Sequence, residues 1–311
     1  MESILSSDLT PRGGTELMAD RINTLPASLL EPFQIIHSRV PEDLDPDKKK
    51  ILVLHDLVGD PMYDHLRDGG WQKFEKLVFV SHWQKQQFQD YLGVPPSAGV
   101  VIKNAIQPIE DHEKEYDDKI RLIYFSTPHR GLDILYAAFN QLSKEFDNIE
   151  LNVFSSFELY GWPERDKQYQ GLFDKLRGHK AINYHKSVSN ERIREELKRS
   201  HIFAYPSTWQ ETSCLCLIEA MSAGLQCVHS SLAALPETAM NLTTMYDYHE
   251  DPTAHANTFY GYLRYVVSAM SSPRGRSSIK GGMETQRQLA NQVYSWKNRS
   301  RQWEMLLTNL Q

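Results

Sequence analysis

The chain has 311 residues, which is enough for two domains of ordinary size. Hydrophobic residues make up 41% and charged residues 24%, as is usual for a soluble globular protein. The net charge of −6 argues against a nucleic-acid partner. Three cysteines, Cys214, Cys216 and Cys227, have neither the number nor the spacing of a disulfide scaffold or a zinc site.

The N-terminus shows no targeting signal. Residues 1–8 lack the basic and apolar regions of a signal peptide, and no stretch approaches 18 apolar residues. We therefore expect a cytoplasmic protein without a transmembrane segment. The locally basic stretch 271–311 is read as a solvated helix face, which leaves a peripheral membrane contact open.

Short apolar runs alternate with longer helical patterns along the chain. The runs predict strands at 33–37, 50–55, 76–81, 100–103, 121–125, 149–154, 181–184, 202–206 and 225–230. Helices are predicted at 16–25, 84–92, 131–146, 190–199 and 214–223. This alternation predicts an α/β fold with parallel, doubly wound sheets of the Rossmann-like kind.

One charged stretch interrupts the alternation before residue 120 and lacks any periodicity. It divides the chain into a first domain (1–108), a linker (109–119) and a second domain (120–282), followed by a C-terminal helix (283–311) that could cross back to the first domain. The first domain is short, and its opening strand is weak, with little beyond Ile4 and Leu5. Two such domains facing each other would bind a ligand in the cleft at the carboxyl ends of their strands.

The most informative motif follows the strand predicted at 202–206. Glu211 lies in a polar loop, Thr212 or Ser213 can cap the next helix, and Gly224 can end it. Glu219 lies on the second turn of that helix. Both carboxylates can therefore border one pocket, where the amides of Thr212, Ser213, Cys214 and Leu215 could hold a diphosphate.

The whole string, from Pro206-Ser207 through Glu211 to Glu219-Ala220-Met221 and Ala223-Gly224, resembles the E-x7-E signature of the family 4 retaining glycosyltransferases, which have the GT-B fold. Other features stand in the family's order. Gly13-Gly14 matches a glycine loop that faces the donor phosphates. His55 matches a histidine near the sugar, and Arg130-Gly131 matches a Lys-Gly pair that binds the diphosphate.

The sequence departs from the family pattern at two places. The usual Asn-Gly before the linker is Asn104-Ala105. The usual Gly-Arg after the first strand of the second domain is Ser126-Thr127, so one expected cation is missing. Arg130 is then the main charge partner of the diphosphate, and Ser126, Thr127 and backbone amides would share its stabilisation.

The resemblance implies transfer of a hexose-type sugar from a nucleotide diphosphate sugar with retention of the anomeric configuration. UDP-sugars are favoured, with GDP-sugars next, and the acceptor would be a glycan, a protein or a small molecule. Glu211, Arg130 and His55 would form the catalytic set, and Glu219 would bind the donor ribose. No metal or other cofactor is expected.

Two alternatives use a similar cleft. A GT-B sugar-nucleotide epimerase needs no acceptor, and a non-catalytic sugar-nucleotide-binding protein could keep Glu219 while losing Arg130 or His55. Both residues are present. A nicotinamide-dependent dehydrogenase is disfavoured because no Gly-x-Gly-x-x-Gly follows a strand.

Overall fold

The structure is a computed structural model that describes residues 11–311, so the weak strand predicted at Ile4-Leu5 lies outside the described residues. Its strands are β1 Phe33–His37, β2 Lys49–Leu54, β3 Lys76–Phe79, β4 Gly99–Val101, β5 Ile120–Phe125, β6 Ile149–Phe154, β7 Ile182–His185, β8 Ile202–Tyr205, β9 Gln226–Ser230 and β10 Thr244–Tyr246. The nine predicted strands are confirmed, with small shifts at their ends.

The helices are α1 Gly14–Ile22, α2 Ala27–Leu30, α3 His82–Leu92, α4 Leu132–Leu142, α5 Gln170–Gly178, α6 Asn190–Arg199, α7 Leu215–Ser222, α8 Leu235–Ala239, α9 Pro252–Met270, α10 Pro273–Val293 and α11 Trp296–Leu310. Short 3₁₀ segments lie at Pro61–Lys73, Pro96–Ala98, Phe157–Tyr160 and Pro163–Tyr169. The five predicted helices are confirmed.

The strands form two separate parallel sheets. The first has the order β1-β2-β3-β4, and the second has the order β10-β9-β8-β5-β6-β7. We call the parts of the chain built on these sheets the N-terminal and C-terminal domains. The domain bounds given above remain our proposal.

The first sheet is buried on both faces because its strands are apolar on consecutive residues. Leu52 and Leu54 of β2 pack with Phe88 of α3. Ile51 and Val53, which point the other way, pack with Trp303 and Leu307 of α11. The last helix of the chain therefore supplies part of the core of the N-terminal domain.

The region 283–311, which we predicted to be one helix, is two. The chain leaves the helical path between α10 and α11, where Ile106 donates to the carbonyl of Tyr294 at 2.7 Å and accepts from the amide of Trp296 at 2.9 Å. The predicted boundary at 282 falls inside α10, which packs against α7 and α9 of the C-terminal domain. Because the sequence is helical on both sides, the break depends on this distant bridge.

The second sheet places the functional loops. Strand β5 lies between β6 and β8, so the connections on its two sides run in opposite directions and leave a crevice beyond the carboxyl ends of β5 and β8. The loops that carry Arg130 and Glu211 follow these two strands. Strand β10 was not predicted from the sequence, since its three residues give no periodic signal.

The start of α7 differs from the prediction. Cys214, not Thr212 or Ser213, is the N-cap residue, and no side chain caps the helix. The hydroxyl of Thr212 donates instead to the carbonyl of His55, at 2.6 Å, in the N-terminal domain. Gly224 ends α7 in the left-handed conformation with φ of 70°, as predicted.

Candidate functional site

The loops after β5 and β8 are in direct contact. Gly131 has φ of 90°, and a Cβ there would lie 2.0 Å from the carbonyl oxygen of Pro206. Only glycine fits this close approach. The turn therefore holds Arg130 against the loop that carries Glu211.

Glu211 is 6% exposed and is held from two sides. The hydroxyl of Tyr205 donates to its Oε1 at 2.5 Å, and a terminal nitrogen of Arg130 lies 3.2 Å from the same oxygen. Burial lowers the pKa of Arg130, but the Glu211 carboxylate and weaker contributions from Tyr160, Tyr205 and Cys216 together raise it well above its usual range. Arg130 is thus a permanent cation, and its Nε has no partner among the described residues.

Glu219 lies one helical turn into α7, at the border of the same cavity. Burial raises the pKa of Glu219, while the charges of Arg21 and Arg194 oppose that rise. The first bond of the helix runs from the amide of Ile218 to the carbonyl of Cys214, which leaves the preceding amides without helical partners. These amides and the helix dipole favour an anion near the start of α7.

The glycine loop of the N-terminal domain lies opposite. A Cβ at Gly13 would lie 2.8 Å from the ring of Tyr160, and one at Gly14 would lie 3.1 Å from Leu215. The side chain of Asn190 accepts from the amide of Arg12 at 3.0 Å and donates to its carbonyl at 3.3 Å. The C-terminal domain therefore holds the backbone beside Gly13 in place.

Two histidines meet at the carboxyl ends of β1 and β2. Nδ1 of His37 lies 3.2 Å from Nε2 of His55, so at most one of these nitrogens carries the shared proton. Burial lowers the pKa of His37 to about 4. Burial, reinforced by the charge of His37, lowers the pKa of His55 to about 3. Both rings are neutral at pH 7.

Two cavities of about 640 Å³ each lie between the domains. The inner cavity is lined by Gly13, Gly14, Ser126, Thr212, Ser213, Cys214, Leu215 and Glu219, among others. The outer cavity is lined by Asp60, Arg67, Trp83, Gln87 and Tyr91, among others. Both contact the same six residues, His55, Asp56, Arg130, Trp209, Glu211 and Thr212.

Eleven of the twelve predicted site residues therefore line the inner cavity. The exception is Thr127, which is 1% exposed and is not among the residues that line the cavity. Its carbonyl accepts a hydrogen bond from the hydroxyl of Tyr124. The sequence did not identify Asn190, Tyr160 or Trp209, because nothing in their local sequence indicates that they reach the cavity. Within residues 11–311, no group of three His, Cys, Asp or Glu side chains could hold a metal ion.

Residues 107–256 match the family model described as glycosyl transferases group 1. A component of the human phosphatidylinositol N-acetylglucosaminyltransferase is 22% identical over 169 residues, which are 52% of this chain. The chain spans about a third of that relative, 33% of its length. The match to the family model lies mainly in the C-terminal domain, which is thus similar to the group 1 glycosyl transferases.

Solved structures match nearly the whole chain. A glycosyltransferase from Rickettsia africae ESF-5 has a TM-score of 0.68 at 15% identity, covering 96% of this chain and 80% of its own. The pneumococcal O-GlcNAc transferase GtfA, in complex with UDP and GlcNAc, has a TM-score of 0.62 at 12% identity, covering 85% of this chain and 53% of its own. These similarities confirm the predicted GT-B fold.

Proposed function

We propose that this chain is a retaining glycosyltransferase that moves a hexose-type sugar from a nucleotide diphosphate donor to an acceptor hydroxyl. The observation that carries the proposal is the inner cavity. In this cavity, Glu211, Glu219, Arg130 and the uncapped start of α7 come from the C-terminal domain. The glycine loop that faces them comes from the N-terminal domain.

The diphosphate would lie between Arg130 and the amides at the start of α7. Loss of the sugar leaves negative charge on the diphosphate, and Arg130 supplies a fixed positive charge in a partly desolvated cleft. A preorganised group of this kind is typically worth about 3–4 kcal/mol in the transition state. Ser126 borders the cavity and its Oγ lies 3.5 Å from Arg130, so it could share the contact with phosphate oxygens.

The two carboxylates would position the rest of the donor. Glu219 would accept hydrogen bonds from the ribose diol, which suits a half-buried carboxylate beside Arg21 and Arg194. Glu211 would accept from sugar hydroxyls while Tyr205 and Arg130 fix its rotamer. His55, neutral at pH 7, could donate to or accept from the sugar but carries no charge there.

The acceptor would enter through the outer cavity. Trp83 and Trp209 offer flat apolar faces, and Asp56 and Asp60 offer hydrogen-bond acceptors for hydroxyl groups. This lining suits a polyhydroxylated acceptor, such as a glycan, a glycosylated protein or a small sugar. In a retaining mechanism the leaving phosphate can take the acceptor proton, so no protein base is required.

UDP is the favoured nucleotide, with GDP next. The support is indirect: a structure of similar fold holds UDP and GlcNAc, and the human relative is named an N-acetylglucosaminyltransferase. We also propose metal-independent chemistry and a cytoplasmic location. None of the helices within residues 11–311 is long and apolar enough to cross a membrane.

The alternatives are a sugar-nucleotide epimerase and a non-catalytic sugar-nucleotide-binding protein. An epimerase needs no acceptor site, whereas the outer cavity opens directly onto the residues around Glu211. The transferase is therefore the better account of the two connected cavities.

The proposal is tested with a panel of UDP-, GDP- and ADP-sugars and no acceptor, by measuring nucleotide release. We expect slow release from one donor, loss of release in Glu219→Ala, and no effect of EDTA. A matched control is Glu145→Gln, which changes an acidic residue outside both cavities. Conversion of the donor to an epimer without nucleotide release would establish the epimerase instead.

A further inference from the structure

Short helix α8 carries a carboxylate that reaches the N-terminal domain. Oε1 of Glu237 accepts from the amide of His82 at 3.1 Å and pairs with Nζ of Lys103 at 2.8 Å. Oε2 accepts from the amide of Trp83 at 3.1 Å. Both oxygens are therefore used, and all three partners belong to the N-terminal domain, whereas α8 belongs to the C-terminal domain.

We call the bonds from Glu237 to His82, Trp83 and Lys103 the Glu237 contact. Two of these bonds hold the first turn of α3. The residues Trp83, Gln87 and Tyr91 are four apart and share one face of α3, and all three line the outer cavity. The position of α3 therefore determines the shape of that cavity. We propose that Glu237 is a positioning residue that holds the two domains together and fixes the wall of the acceptor site.

Charge favours the contact. Partial burial would raise the pKa of Glu237, but the Lys103 ammonium and the two amides lower it overall, so the carboxylate is ionised at neutral pH. A negative group beside the free amides at a helix start is stabilised by the helix dipole. Hydrogen bonds to a charged group are stronger than those between neutral groups.

The same segment is tied to Glu211. The amide of Ala234, three residues before Glu237, donates to the carbonyl of Glu211 at 3.1 Å. Helix α8 is flanked by three non-glycine residues in the left-handed conformation, Ala233, Met240 and Asn241, with φ between 53° and 56°. Such conformations are disfavoured for side chains with a Cβ, so the surrounding structure holds α8 in one place. The Glu237 contact therefore links the loop of Glu211 to the opposite domain.

The test compares Glu237→Gln with Ser81→Ala. Ser81 caps the same helix, since its Oγ accepts from the amide of Gln84 at 3.0 Å, but that bond stays within the N-terminal domain. Hydrogen exchange followed by mass spectrometry is measured on the full chain for both variants. We expect Glu237→Gln to speed exchange at residues 82–83 and also in the cleft segments 13–14 and 209–212. Ser81→Ala should speed exchange in α3 alone.

Turnover provides the second readout, and its interpretation rests on the proposed function. We expect Glu237→Gln to lower the rate of UDP-sugar hydrolysis about tenfold, the effect of losing a charged hydrogen bond. Its Kd for UDP alone, measured by calorimetry, should rise by a smaller factor than turnover falls, because Arg130, Glu219 and the start of α7, which would bind UDP, belong to the C-terminal domain. Ser81→Ala should retain wild-type turnover.

Identical exchange patterns in the two variants would overturn the proposal, since Glu237 would then only stabilise α3. So would cleft segments that stay fully protected in Glu237→Gln. If wild-type protein hydrolyses no donor, the proposed function fails, but the exchange comparison still decides whether Glu237 holds the domains together.

Discussion

Arg130 is the residue on which the proposed chemistry depends most. It is the only one of the two cations typical of the resembled motif that this sequence keeps, and it is already paired with Glu211. Arg130→Ala should lower turnover by about 100-fold or more, because it removes the preorganised positive charge that would stabilise the leaving diphosphate. Arg130→Lys should recover only part of that loss, since lysine lacks the planar fork.

Steady-state nucleotide release measures this effect. Arg177→Ala is the matched control, because Arg177 pairs with Asp174 on an exposed helix face. A turnover within twofold of wild type for Arg130→Ala would remove Arg130 from the catalytic set.

The histidine pair leads to a prediction about pH. Burial holds the pKa of His37 at about 4 and that of His55 at about 3, both below the unfolded value of about 6.5. Between these folded pKa values and about pH 6.5, the unfolded chain therefore binds more protons than the folded chain does. The neutral histidines contribute their full stability only above about pH 6.5. That contribution should fall as the pH drops toward 4.

Thermal unfolding at pH values from 4 to 8 tests this prediction. His55→Gln should give a flatter dependence of the midpoint on pH than wild type does. Equal slopes for the two proteins would show that His55 is not held neutral by burial. Turnover should also show no histidine titration between pH 6 and 8.

At the scale of elements, Asn190 at the start of α6 is predicted to position the glycine loop. Its amide group makes two hydrogen bonds with the backbone of Arg12, next to Gly13. Asn190→Ala should weaken UDP-sugar binding about tenfold. The glycine loop loses both hydrogen bonds, and the binding site is then no longer preorganised. Calorimetry with the preferred donor of the panel measures the change.

Asn190→Asp is the informative companion variant. A carboxylate can still accept from the amide of Arg12 but cannot donate to its carbonyl. Its Kd should therefore lie between those of wild type and Asn190→Ala or match the latter. A wild-type Kd for Asn190→Ala would show that the loop is held by other contacts.

Helix α11 should contribute strongly to the stability of the N-terminal domain. Trp303 is 1% exposed and packs on the face of the first sheet formed by Ile51 and Val53. Trp303→Ala should destabilise the protein by about 3–5 kcal/mol. Met305→Ala, on the exposed face of the same helix, should have little effect. Urea unfolding measures both, and equal midpoints would contradict the assigned packing.

Most elements could be predicted because their signals are local. Buried parallel strands are apolar on consecutive residues, as in β2 and β8, and the intervening helices are periodic. The break between α10 and α11 could not be predicted, because it depends on the bridge between Ile106 and Ser295, which are far apart in sequence. The N-cap of α7 was predicted wrongly because Thr212 instead donates to His55 of the other domain.

At the scale of the whole molecule, the site exists only where the two domains meet. The E-x7-E string and the glycine loop could be found from the sequence because each has a local pattern. Glu237 and Asn190 could not, since they contact backbone amides of the opposite domain, and Tyr160 could not, since only the fold brings its ring against Gly13. The motif predicts what the cleft binds, and the fold shows which contacts hold the cleft in shape.

The central claim is that the inner cavity binds a nucleotide diphosphate through Glu219 and its neighbours. Calorimetric titration of UDP and GDP into wild type, Glu219→Gln and Glu145→Gln tests it most directly. We predict saturable binding of one nucleotide, at least tenfold weaker binding to Glu219→Gln, and unchanged binding to Glu145→Gln. Absence of binding to wild type, or equal binding to Glu219→Gln, would contradict the assignment of the site.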